Sequence, residues 1–175
     1  MQTIRLLPGF IACLALSWPV THTTFARQDT GDELVQMVAT LLRDADKDMR
    51  AVALEQVRTA APGPATTRQF AALLPGLSPN AQVGLLSALA DRGDSAARPA
   101  VMELLAAKGD ESVRVAAIAA LGFLGEPGDA QTLIPFLEQG VAAEQSAARA
   151  SLVRLPGESV PGLIAGAMSQ AASPL

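Results

Sequence analysis

The sequence predicts an all-α fold, a solenoid of stacked antiparallel helix pairs about four and a half repeats long. Three observations predict it. Val57, Leu89, Leu121 and Leu152 recur at intervals of 32, 32 and 31 residues. A second apolar column, Leu42, Leu74, Leu105 and Leu137, lies half a repeat upstream and advances by 32, 31 and 32. No segment shows sustained apolar–polar alternation or β-branched enrichment, which removes the case for strands. Two columns on one period mean one supersecondary unit copied in tandem, and each copy buries its two apolar faces only by stacking on its neighbours.

The elements follow in order. Met1 to Arg5 is a short region with one positive charge, Leu6 to Val20 is largely apolar, and Thr24-Phe25-Ala26 places small residues where a signal peptidase reads them. That is the layout of a secretory leader over 1–26, cleaved after Ala26. It is shorter than the roughly 20 apolar residues of a membrane span, and Pro8, Gly9 and Pro19 interrupt it. Residues 27–175 form the repeat domain, in units 32–62, 66–94, 95–127 and 128–157 and a partial unit 158–175.

The first unit pairs a helix from Glu33 to Arg43 with one from Asp48 to Thr59 across an acidic turn. The second pairs Thr67–Leu74 with a helix opened by Pro79-Asn80 and running to Asp91. In the third, Val101, Met102, Leu104 and Leu105 give a helix its apolar face, with Pro99 tolerated in the first turn. Lys108-Gly109-Asp110 breaks it and Asp110 caps the next helix, Ser112–Leu124. Gly122 in that helix marks a place where a neighbour comes close. The fourth unit reads Ala130–Glu138, with Pro135 predicting a kink, then Ala142–Arg154. A fifth begins at Val160.

The wording of the units resembles HEAT repeats, especially the bacterial kind related to phycobilin lyase repeats. The phrases that carry this are Leu42-Arg43-Asp44-Ala45-Asp46-Lys47-Asp48-Met49-Arg50-Ala51-Val52-Ala53-Leu54 and Asp110-Glu111-Ser112-Val113-Arg114-Val115-Ala116-Ala117-Ile118-Ala119-Ala120-Leu121-Gly122. The resemblance spans about Asp32 to Met168. It implies a right-handed, curved stack whose second helices line the inner surface. It also implies that Asp46, Arg50, Asp110 and Arg114 tie adjacent turns together. Gln82 and Gln145 stand where the arginines would be in the second and fourth units, so the ladder reads as broken.

Chemistry is restricted by what the repeats lack. The only Cys (Cys13), His (His22) and Trp (Trp18) fall in the leader, and Tyr is absent. A cleaved chain therefore has no disulfide, no Cys/His metal site and no His-based nucleophilic relay. The net charge of −4 becomes more acidic once Arg5 is removed, which disfavours nucleic acid and anionic membranes as partners. Asp44, Asp46, Asp48 and Glu55 imitate a calcium loop, but Met49 stands where that loop needs glycine and Arg50 brings a positive charge. The segment reads instead as a capped turn. No metal or cofactor is expected.

The sequence points to a non-catalytic, exported scaffold for a protein partner or a neighbouring domain. An accessory region of a larger exported enzyme or haem protein is the alternative, and a lyase-like subunit follows only from the family resemblance. Glu55, Ser87, Ala119 and Ala150 should look into the groove, followed by the next column, Gln56, Ala88, Ala120 and Ser151. Arg58, Asp91, Arg92, Phe123 and Arg154 lie at the groove mouth, while Phe70 and Phe136 pack as core. Leu163 and Ile164, with Val160 and Met168, give the last helix an apolar face open to self-association.

Overall fold

The computed structural model describes residues 25–156. Over that span it is the expected all-α stack of helix pairs, with no strand among the described residues. The first helices of the four pairs are α1 (Phe25–Leu42), α3 (Pro64–Ala71), α5 (Arg98–Ala106) and α7 (Ala130–Gln139). The second helices are α2 (Lys47–Thr59), α4 (Pro79–Arg92), α6 (Glu111–Leu124) and α8 (Ala142–Arg154). The leader up to residue 24 and the fifth unit, including Leu163 and Ile164, lie outside the described residues.

Local chemistry explains the ends. Prolines sit in the first turns of α3, α4 and α5, where the missing N–H costs nothing. Asp46 and Asp110 cap α2 and α6 by accepting the N–H groups of Asp48 and Ser112 at 2.7 and 2.9 Å. Gly93 ends α4 in the left-handed region, at φ 69°, and donates to the carbonyls of Leu89 and Ala90. α1 starts at Phe25, eight residues before the helix expected from Glu33, because Gly31 is tolerated inside it. α7 runs through Pro135 without interruption.

Both periodic columns are interior. Val57, Leu89, Leu121 and Leu152 are buried, as are Leu42, Leu74 and Leu105, and Leu137 packs against this core. Phe70 is fully buried, and Phe136 packs on the core from a half-buried position. The second helices pack on one another in series, α2 on α4 on α6 on α8, more intimately than the first helices do. Closer spacing on one side makes that side the inner face of the curve.

The intimacy depends on small residues. Ala88, Ala120 and Ser151 were expected to face the groove; they are buried instead, in the seams between successive second helices. A side chain larger than serine there would hold the helices apart. The tightest seam lies between α6 and α8, where a Cβ on Gly122 would fall 2.9 Å from the Cα of Ser151. The Ser151 hydroxyl donates to the Ile118 carbonyl at 2.8 Å, so its polarity is satisfied inside the seam. Gly31, by contrast, has nothing within 4 Å of such a Cβ. The same substitution should therefore have opposite signs at the two positions. Gly122→Ala is expected to destabilise by about 1–3 kcal/mol through overpacking, and Gly31→Ala to stabilise by about 0.5–1 kcal/mol. Urea denaturation of the two variants measures both; equal effects would contradict the seam.

Candidate functional site: the inner face and its seams

Three rows of residues run along the inner face at the repeat period. Ala51, Val83, Val115 and Ser146 form one row, and Glu55, Ser87, Ala119 and Ala150 form the next. The third is Thr59, Asp91, Phe123 and Arg154. All twelve are exposed or half-buried. Most of these side chains are small, and one large apolar group stands out among them: Phe123 is 57% exposed.

The residues proposed at the groove mouth pair off. The Arg58 Nε donates to Asp91 Oδ2 at 2.8 Å, joining α2 to α4, with Glu55 at 3.6 Å. The Arg154 guanidinium lies 4.8 Å from the centre of the Phe123 ring, joining α6 to α8. Both pairs stay open to solvent, so each orients side chains more than it stabilises the fold.

Arg92 is turned away from the groove and into the seam between the first two units. Its Nη1 donates to the carbonyls of Val57 and Ala60 at 2.7 and 2.8 Å, and Nη2 donates to Ala61 at 2.6 Å. Its Nε donates to the Thr67 hydroxyl at 2.8 Å, which in turn donates to Asp94 at 2.8 Å. One guanidinium thus satisfies the open C-terminal carbonyls of α2. It also holds Ala61 at φ 40°, a conformation unusual for a residue with a Cβ. Asp94 caps the turn before α5 by accepting the Ala96 N–H, which together with Thr67 holds its carboxyl below the usual range.

Two further arginines join units. Arg98 grips Asp129 with both ends of its fork, at 2.7 and 2.5 Å. Asp129 is 2% exposed and also accepts the Glu126 N–H. Arg114 donates to Glu144 at 2.6 Å and to the Gly109 carbonyl of its own interhelical turn. Arg50 makes the corresponding bonds to the carbonyls of Asp44 and Ala45 at 2.6 and 2.8 Å. Those bonds draw a fixed positive charge onto the acidic turn that imitates a calcium loop.

Of the four residues the resemblance assigned to tying turns together, only Arg114 reaches another unit; Asp46, Arg50 and Asp110 bond within their own turns. Gln82 likewise stays in its unit, donating to the Leu74 carbonyl at 2.8 Å. Sequence reasoning missed this, and it missed the Arg98–Asp129 pair, whose signal was an acid just before α7 and a cation 31 residues upstream. Among the described residues no group of three or more acidic, Cys or His side chains could hold a metal ion.

The geometry defines a helical-repeat solenoid whose second helices form a shared inner surface. Residues 66–153 match the family model for HEAT repeats, and the chain belongs to that family. HEAT repeats commonly mediate protein–protein interaction. The matched span takes in the second, third and fourth pairs, and the first pair stacks on the second in the same manner. No curated protein matches the chain. No helix among the described residues is long and apolar enough to cross a membrane.

Arg98 holds the Asp129 carboxyl below the usual carboxylate range, against the opposing effect of burial. The stabilisation from this pair is therefore present at neutral pH and lost as pH falls through the ordinary carboxylate range and below. Asp129→Asn is expected to cost about 2–3 kcal/mol at pH 7, less than a fully buried pair because Arg98 is partly solvated. The cost should shrink as pH falls below that range. Thermal melts of both proteins between neutral and acid pH measure the difference; a cost independent of pH would overturn the assignment.

Proposed function

We propose that this chain is a non-catalytic, exported scaffold that holds a protein partner, or a domain of the same polypeptide, against the inner face of its second helices. The observation that carries this reading is the Phe123–Arg154 pair. A large aromatic ring is 57% exposed beside the small residues Ser87, Ala119 and Ala150, and a guanidinium at 4.8 Å holds it in place. Aromatic and arginine side chains dominate recognition energy at interfaces, and a ring already ordered loses little freedom on binding. The small rows beside it let a partner's own side chains approach the helix backbones.

Export is supported by the leader-like 1–26, and a non-catalytic role by the residue types outside it, which include no His or Cys. The acidic balance, net −4, favours a protein partner over nucleic acid.

The test uses the segment from Arg27 as bait against the exported fraction of the source cell. The doubly substituted Phe123→Ala/Arg154→Ala protein is expected to lose at least ten-fold in affinity for the captured partner, about 1.4 kcal/mol or more. Its melting temperature should change little, because both groups are solvent-facing. Undiminished capture by the double variant would move the interface elsewhere, and a chain retained in the cell with 1–26 intact would remove export from the proposal.

A further inference from the structure

We propose that the cleft between α5 and α7 is a binding site for a small amphiphile with an apolar body and one carboxylate. The cleft has a volume of about 580 Å³, inside the roughly 300–1,000 Å³ typical of ligand sites. It lies away from the inner face. Met102, Leu105 and Ala106 wall it on one side, Pro135 and Phe136 on the other.

The corresponding slot one repeat earlier, between α3 and α5, has only about 180 Å³ and carries an acid, Glu103, in its lining. An open slot is thus not a general property of the stack. The floor of the cleft is also distinct at one position. The third residue of each second helix is Ala81 in α4 and Val113 in α6, both buried apolar groups. In α8 it is Glu144, 4% exposed, reaching Arg114 across the floor of the cleft. An ion pair with a buried carboxylate stands here where α4 and α6 bury an apolar side chain.

The charge left over is positive. Both Glu144 oxygens are occupied, one by Arg114 and the other by the Val141 N–H at 3.1 Å. The Glu144 charge is offset by that of Arg114, which leaves Lys108 as the excess charge of the lining. Arg114 spends Nε on Glu144 and Nη1 on Gly109, leaving Nη2 without a protein partner among the described residues. Lys108 lines the same cleft with no ion-pair partner among the described residues, and its backbone sits at φ 52°. Left-handed backbone at a lysine is strained, and strain of this kind accumulates at ligand sites. An apolar slot with one uncompensated cation at its edge suits a carboxylate whose tail enters between Met102 and Phe136.

Decanoate is the probe, with decyltrimethylammonium and acetate as comparators, titrated calorimetrically into the full chain. Saturable binding of one decanoate is expected, with both comparators at least roughly ten-fold weaker for want of charge or tail. Lys108→Gln and Lys108→Gly should each weaken decanoate by roughly ten-fold, the value of one charge-assisted contact. The glycine variant relieves the left-handed strain, so its loss could not be assigned to misfolding. Ala106→Trp, at an exposed position on the wall, should abolish binding by filling the cleft. Equal affinity for the cationic comparator, indifference to both Lys108 variants, indifference to Ala106→Trp, or no saturable binding would each overturn the proposal.

Discussion

Everything else in this molecule rests on how closely its second helices approach one another. Ala88, Ala120 and Ser151 lie buried in successive seams, and at Gly122 the α8 backbone comes near enough to exclude even a methyl group. Close packing on one side forces the first helices to splay on the other, and the splay is the curve. It turns one face of α2, α4, α6 and α8 into a shared surface and leaves slots between the first helices. The inner rows and the wider spacing of the first helices are thus two results of one packing constraint. Small residues at Ala88, Ala120, Gly122 and Ser151 permit it.

The apolar columns hold the units together, and a set of arginines fixes how they sit. Arg92, Arg98 and Arg114 each reach from one unit to another, and each ends on backbone carbonyls, a buried carboxylate, or both. Hydrophobic contact is non-directional and would tolerate sliding of one unit over the next. A forked guanidinium on a buried carboxylate does not, because the angle as well as the distance must be kept. The exposed pairs, Arg58–Asp91 and Arg154–Phe123, lie on the solvent side of the same joints and orient the surface more than they secure it.

The all-α stack was legible because burial and sequence period report the same thing. Leucine and valine at fixed intervals have one destination, and helix ends are marked by prolines, aspartates and glycines with local reasons to be there. Small residues have no such destination. Alanine is at home in a groove or in a seam, so the Ala88, Ala120 and Ser151 column was assigned to the wrong side. Arg92 stood at a helix end, where exposure is the ordinary fate of arginine; only three dimensions show the carbonyls of Val57, Ala60 and Ala61 converging on it. Arg50 reads like Arg114 in the sequence, yet only Arg114 has an acid of the next unit within reach, because Glu144 stands where the other repeats have no carboxylate. Glu144 held a signal that comparison of equivalent positions reveals, an acid where other repeats bury Ala81 and Val113, and its weight appears only once its burial is known.

The arginine joints also give the chain a direction in time. The carbonyls ending α2 are satisfied by a residue more than thirty positions downstream, and Arg98 and Arg114 find their carboxylates at similar distances ahead. During synthesis from the N-terminus, the first and third helix pairs emerge before the groups that complete these bonds. Order of synthesis thus matters at two joints: the first unit waits for the second, and the third for the fourth.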